Sequence, residues 1–409
     1  MGRTEPEGKL LGRDFILICS SNFLAFFSIY MIIPVLPVFL EDKGYNNFLI
    51  GALMSMMTVA ALLRPFFGKI SDRSGRRWLI VWGILLLGIS NFLYAAFGGA
   101  LPLFIVRLVN GLGLAAFHTA AYAMIGDLAP SARRLQGIAI FYISVDATIA
   151  TAPVVAEFMR VAWGYTPVYI LAGALALAAF LASLFIRETR DHRRLPKPAT
   201  ARHVRITPLQ IAIYTMTICY TLTLGSLTTF IVLSALGNSI QQGELFFTVF
   251  AVTLIVLRLG VGKRADALAR RPLIMISGVI AIAGLIIIAY AGHLFFLILG
   301  SFIYALGFAY LPTALSALLL DYTLLSDRGV VLGIFLAVFD LGMGLGGVAM
   351  GPLADAWGYP AMYVAGGMIA LLGMLFFVLS TGDLRGEGGS TASAEGRMGV
   401  EGEREQKLG

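Results

Sequence analysis

The sequence predicts an all-α integral membrane protein with twelve transmembrane helices in two pseudo-symmetric six-helix bundles. Three observations carry this. The 409-residue chain is 58% hydrophobic and 13% charged, against about 25% charged in ordinary soluble domains. Its apolar residues gather into runs long enough to cross a bilayer, for which a helix needs about 20 residues. The second half of the chain also repeats the pattern of the first.

Taken in order, residues 1–14 (MGRTEPEGKLLGRD) form a charged segment leading into an apolar stretch with no cleavage site. That stretch reads as a retained helix, not a signal peptide. Charge clusters, Pro and Gly punctuate the rest. They place an N-terminal bundle over 15–186, with spans near 15–40, 47–68, 78–98, 102–126, 136–159 and 166–186. A polar linker follows at 187–207. The C-terminal bundle covers 208–380, with spans near 208–236, 243–262, 272–292, 294–319, 329–353 and 360–380. The Gly-, Ser- and Glu-rich tail, 381–409, is expected to be disordered.

Basic residues give the orientation. Of the 30 Lys and Arg, 25 fall in the termini and in alternate loops on the same side, while only Lys43 and Arg160 fall in the loops between. The positive-inside rule then puts both termini in the cytoplasm. The formal charge of +7 therefore reads as membrane topology and not as nucleic-acid binding. Cys19 and Cys219 lie inside apolar runs, so neither a disulfide framework nor a metal site is expected.

The repeat is specific. GKISDRSGRR at 68–77 returns as GKRADALARR at 262–271, a shift of 194. Without a gap, the same shift pairs Arg64 with Arg258, Gly113 with Gly307, Asp127 with Asp321, Arg134 with Arg328 and Asp146 with Asp340. It also pairs Trp163-Gly164-Tyr165 with Trp357-Gly358-Tyr359, and Tyr169 with Tyr363. Six helices followed by a related six signal parallel repeats about an axis along the membrane normal.

With these residues the chain resembles the major facilitator superfamily, whose pattern G-x-x-x-D-R-x-G-R-R is met by Gly68, Asp72, Arg73, Gly75, Arg76 and Arg77. The resemblance implies a conformational latch in which Asp72 and its arginines dock on a neighbouring helix end. In the second copy Asp266 and Arg270 remain, but Ala267 and Ala269 replace an arginine and a glycine. A weaker second latch is expected. Arg107, Gly111 and Gly113 resemble the family's R-x-x-x-G-x-G motif, linked to proton coupling. Pro34 and Pro37 in IPVLP resemble the drug- and metabolite-efflux branch, although TIATAPVVAE, 148–157, keeps only the proline of that branch's G-x-x-x-G-P-x-x-G-G.

Ionisable residues within apolar spans are functional candidates, because burying a charge in hydrocarbon costs at least about 2.5 kcal/mol. Arg107, Gly111, His118 and Tyr122 share one helical face, and Tyr142, Asp146, Pro153 and Glu157 share another at the same offsets. Two facing stripes of this kind suit a cavity lining, with Arg107 paired to a carboxylate. The proton-coupling candidates are Arg107, Asp146, His118, Glu157 and Asp340. Each has a structural alternative: an Arg–carboxylate strut for Arg107, a neutral hydrogen-bonded imidazole for His118, a hinge partner between the halves for Asp146 and Asp340, a solvated end for Glu157. Tyr214, Thr217, Thr221, Gly225 and Thr228 share a face that serves either packing or substrate. The substrate-cavity candidates are Asn22, Tyr30, Tyr122, Tyr142, Tyr214, Thr217, Thr221 and Tyr304.

No HExxH, GxSxG, Walker A loop or CxxC is present, so an enzyme or an ATP-driven pump is excluded and no cofactor is expected. The expected function is secondary active transport of a small organic solute by alternating access, with proton-coupled efflux through the plasma (inner) membrane. Solute uptake or proton symport on the same fold is the alternative. The partners are a small solute, protons and the lipid bilayer, without nucleic acid, and the protein is expected to be a monomer.

Overall fold

The computed structural model describes residues 12–130, 133–189, 206–260, 270–324 and 327–381. These form thirteen helices: α1 (Arg13–Asp42), α2 (Asn47–Ala61), α3 (Arg64–Ser74), α4 (Arg77–Ala96), α5 (Ala100–Leu128), α6 (Arg134–Trp163), α7 (Tyr165–Ser183), α8 (Pro208–Gly237), α9 (Leu245–Gly260), α10 (Arg270–Ala289), α11 (Leu294–Asp321), α12 (Arg328–Val348) and α13 (Gly351–Ser380). Among the described residues, eleven helical segments are long and apolar enough to cross a membrane, α2 and α3 counting as one; α9 is a shorter apolar helix. The expected twelve-helix fold is what the chain adopts. The tail beyond 381, most of the linker, and Asp266 with the rest of 261–269 lie outside the described residues.

Local chemistry explains the departures from the expected spans. The second span runs to Ser74 but breaks at Leu62-Leu63, because Pro65 enters the first turn of α3 and has no N–H to continue the helix. Gly68, Asp72 and Arg73 therefore sit on a helix, and only Gly75 and Arg76 bridge to α4. The last span begins at Gly351, earlier than its pattern suggests, and Gly358 interrupts it at φ +81°. Its repeat mate Gly164 has φ +82°. Only glycine tolerates this left-handed region cheaply, so both Trp-Gly-Tyr triplets turn between two helices in the same way. At the start of α8, Thr207 and Gln210 form a reciprocal capping box, with bonds of 3.0 and 3.3 Å, and Pro208 fills the first helical position.

The repeat is visible in side-chain contacts. A Cβ on Gly113 would lie 2.7 Å from the Gly83 carbonyl oxygen, and one on Gly307 2.5 Å from that of Ser277, 194 residues on. Small residues thus let α5 approach α4, and α11 approach α10, at backbone distance. Arg76 pairs with Asp127, and Arg270 lies 3.6 Å from Asp321. Arg77 donates to the Leu184 carbonyl at 2.9 Å, and Arg271 to that of Val378 at 3.0 Å. In the first half, Glu188 also accepts from the backbone N–H groups of Arg76 and Arg77, at 3.1 and 2.9 Å, and so caps α4. The face of the bundle carrying these groups is called the basic face below.

The halves meet where α2 packs on α12 and α13, α6 on α9, and α1 on α8. On the face opposite the basic one, the Asp355 carboxylate accepts from Asn47 N and Phe48 N at 2.9 and 3.0 Å, which caps α2 across the interface.

Candidate functional site

Pro65 has a further consequence. The break it imposes sets Arg64 at the head of α3, on the seam between the halves, where its Nη1 lies 2.5 Å from Asp340 of α12. The repeat mates make the same bond in the opposite sense, Arg258 of α9 pairing with Asp146 of α6. Each half thus contributes one arginine and one aspartate to two crossed ion pairs. Both arginines are partly exposed, whereas the Asp146 side chain is buried.

Arg64 and Asp340 also wall a cavity of about 230 Å³ between the halves. Its other walls come from α1 (Phe26, Tyr30, Ile33), α2 (Met54, Met57, Thr58), α5 (Arg107, Leu114), α8 (Thr228) and α12 (Met343). Toward the face opposite the basic one, the walls close by backbone contact. A Cβ on Gly51 would lie 2.0 Å from the Gly347 carbonyl oxygen, and one on Gly225 would lie 2.0 Å from that of Met343. Ser55 reinforces this closure by donating to the Gly344 carbonyl at 2.6 Å.

The expected pairing of Arg107 with a carboxylate of α6 does not form. Arg107 is 1% exposed, its Nη2 meets Met54 Sδ at 3.4 Å, the Tyr94 hydroxyl lies beside it, and its Nε and Nη1 make no close hydrogen bond among the described residues. The face of α6 that carries Asp146 turns toward α9 instead. Glu157 is not solvated. It is 5% exposed and receives both Nε and Nη2 of Arg160, at 2.8 and 2.6 Å. His118 sits among the rings of Phe26, Phe141 and Tyr142, with centroids 5.2, 5.9 and 6.5 Å away.

Of the expected substrate contacts, Tyr30 lines the cavity. Tyr122 and Tyr142 are partly exposed, with rings 6.0 Å apart. The others pack helices together. Asn22 donates to Ser144 at 2.9 Å and ties α1 to α6. Tyr214 donates to the Val331 carbonyl at 3.1 Å. Thr217 and Thr221 each bond a carbonyl one turn back at 2.8 Å, and Tyr304 meets Thr223 at 2.9 Å. In the latch segment, Arg76 and Arg77 are engaged within their own half, while Asp72 and Arg73 are exposed. Asp72 has no bonding partner among the described residues. The groups that sequence reasoning missed are Arg64 and Arg258. Their signal was present, because the shift of 194 that pairs the arginines also pairs the aspartates.

The profile of the Major Facilitator Superfamily matches residues 18–237 and, in a second match, 211–400. The chain belongs to the Major Facilitator Superfamily. Among relatives, the quinolone resistance protein NorA of Staphylococcus aureus is 25% identical over 177 residues, which are 43% of this chain and 45% of NorA. The match thus spans less than half of NorA. The multi-drug resistance efflux pump PmrA of Streptococcus pneumoniae is 25% identical over 370 residues, 87% of this chain and 92% of PmrA. Among solved structures, the inward-facing and occupied bacterial homolog of the human lysosomal transporter Spinster superposes with a TM-score of 0.75 at 16% identity, covering 90% of this chain and 96% of that one. The nucleoside transporter NupG gives 0.70 at 15%, covering 90% and 99%. This member of the superfamily is accordingly a multi-pass membrane protein.

Proposed function

We propose that this protein exports a small organic solute from the cytoplasm in exchange for protons, working as a monomer in the plasma (inner) membrane with both termini cytoplasmic. The basic loops support that orientation, and the likeness to two drug-resistance proteins, one of them an efflux pump, supports the direction. The N-terminal bundle, 15–186, and the C-terminal bundle, 208–380, would move as two bodies about the cavity.

The crossed pairs Arg64–Asp340 and Arg258–Asp146 are the observation that carries this reading. They cross between the halves on the basic side of the glycine contacts, so parting the halves there breaks both. Protonating Asp146 removes the charge that holds Arg258 and releases that side. Losing the proton to the cytoplasm restores the pair and favours closure. A proton thereby moves inward for each solute moved outward. Asp340 serves as a matching strut, and His118 and Glu157 are held in reserve. Asp72 and Arg73 latch the cytoplasmic side in the other state.

The test is transport of fluorescent aromatic solutes in proteoliposomes with and without an imposed pH jump. Asp146→Asn should lose gradient-driven flux by about tenfold or more, the equivalent of about 1.4 kcal/mol, while retaining solute binding. Wild-type flux in that variant would remove Asp146 from the mechanism.

A further inference from the structure

Arg107 presents an unusual balance of charges. It is among the largest fully buried side chains of the described residues, 1% exposed two turns into the membrane helix α5. Four other arginines of the bundle pair with carboxylates, Arg64 with Asp340, Arg76 with Asp127, Arg160 with Glu157 and Arg258 with Asp146, and Arg77 and Arg271 bond backbone carbonyls. Arg107 has no carboxylate partner among the described residues, and a thioether is a poor acceptor for its Nη2. Nε and Nη1 are buried and make no close hydrogen bond among the described residues; the polar group beside the guanidinium is the Tyr94 hydroxyl, which carries no charge to balance it. A guanidinium is always protonated, and its fork of N–H groups matches a carboxylate in two parallel bonds. A buried charge left in this way is costly unless something compensates it. Arg107 lines the cavity between the halves.

We propose that Arg107 is the anion-binding subsite of that cavity, so that the transported solute carries a carboxylate or a like oxyanion on an apolar body. Met54, Met57, Leu114 and Met343 supply the apolar walls, with methionine suited to irregular rings because it is unbranched and polarisable. Desolvation makes the subsite selective. A neutral isostere offers fewer charge-matched bonds to the same buried donors, and an organic cation meets a like charge. The inference rests on the cavity being the solute site, but not on direction or proton coupling.

The probes are 2-naphthoate, its neutral analogue 2-naphthamide and the cation 2-naphthylmethylammonium, titrated against the detergent-purified full chain without any gradient. The wild type should bind naphthoate about tenfold or more tightly than naphthamide, and the cation least well, as expected for a charge-assisted pair in a desolvated site. Arg107→Gln should erase that order, and Arg107→Lys should retain part of it through a single point charge. If Arg107→Gln does not fold, a log Kd for naphthoate that is independent of its charge in the wild type still overturns the proposal. Equal affinity for acid and amide, or an unchanged preference in Arg107→Gln, would overturn it as well. Because no gradient is applied, either failure leaves proton-driven efflux standing.

Discussion

The two seams between the halves carry the same charges but close by different means. In the first, α2 faces α12 and α13, and Arg64 at the head of α3 reaches α12. In the second, α6 faces α9. Each has one Arg–Asp pair, and the repeat relates them. Both seams also carry a side-chain bond to a facing carbonyl, Ser55 to Gly344 in the first and Thr248 to Ala150 in the second, but only the first adds close backbone contact. The first seam closes by shape: a Cβ on Gly51 would strike the Gly347 carbonyl at 2.0 Å, and one on Gly351 would lie 2.5 Å from the Asn47 carbonyl. The second closes through side chains, with Thr248 donating to the Ala150 carbonyl at 2.7 Å and Glu244 lying beside Glu157 and Arg160. The ion pair is therefore duplicated, while the close backbone contact is not.

The largest effect should come from spoiling the shape. Gly51→Val puts branched carbon where the Gly347 carbonyl lies, and overpacking of this kind costs about 1–3 kcal/mol. We expect a lower melting temperature in detergent and greater reagent access to cysteines placed near Asn47. Thr248→Val in the second seam removes a single hydrogen bond, worth about 1 kcal/mol, and should melt closer to wild type. Equal losses in the two variants would end the distinction between the seams.

The next effect separates the ion pairs. Arg258 and Arg64 are both partly hydrated, so neither pair contributes much to stability. That weakness suits the proposed role, in which both contacts open and close. Asp146 is more buried than Asp340, with side-chain exposures of 6% and 18%. Asp340→Asn should therefore slow gradient-driven flux about threefold, less than Asp146→Asn, in proteoliposomes. Exchanging the partners, Arg64→Asp with Asp340→Arg, should recover most of that loss. No recovery in the exchanged variant would show that the contact is not the functional unit.

The fold was largely legible because the signals that specify it are one-dimensional: apolar runs, basic loops and the 194-residue shift. The site was legible only in part. Helical periodicity puts Arg107 and Asp146 each on a definite face, but it does not say which neighbour that face meets. In the structure Asp146 meets Arg258, across the halves, and Arg107 meets Met54. Asn22 and Tyr304 were polar residues in apolar runs, yet each bonds to a neighbouring helix, Asn22 through its Nδ2 and Tyr304 through its hydroxyl. Polarity alone does not separate a cavity lining from a packing contact. Glu157 sat where a span ends, and its burial depends on α9 packing over that end, a contact between residues about 90 positions apart that no local pattern encodes.

The smallest effect concerns a single proton in the second seam. Glu244 precedes α9, 7% exposed, with Oε2 buried and without an acceptor or donor among the described residues. Burial pushes its carboxyl up from the ordinary range to about 7, and the Glu157 charge adds to this, while its own backbone N–H and Arg160 oppose it. Parting the second seam would return Glu244 to water and to an ordinary carboxylate value near about 4.3. Closure therefore takes up a proton. The stabilisation of the closed seam is fully present below the ordinary carboxylate value and is lost as pH rises through about 7. Spin labels at Lys43→Cys and His293→Cys, with Cys19 and Cys219 changed to serine, report the separation of the halves on this face. The closed fraction should fall as pH is raised from 5 to 8.5, a range chosen to bracket about 7. Glu244→Gln, which keeps the neutral form throughout, should flatten that dependence. Glu157→Gln should move its midpoint to lower pH, because it removes the like charge and leaves Arg160 facing Glu244. A distance distribution that ignores pH in the wild type, or that keeps its full response in Glu244→Gln, would make the second seam as rigid as the first.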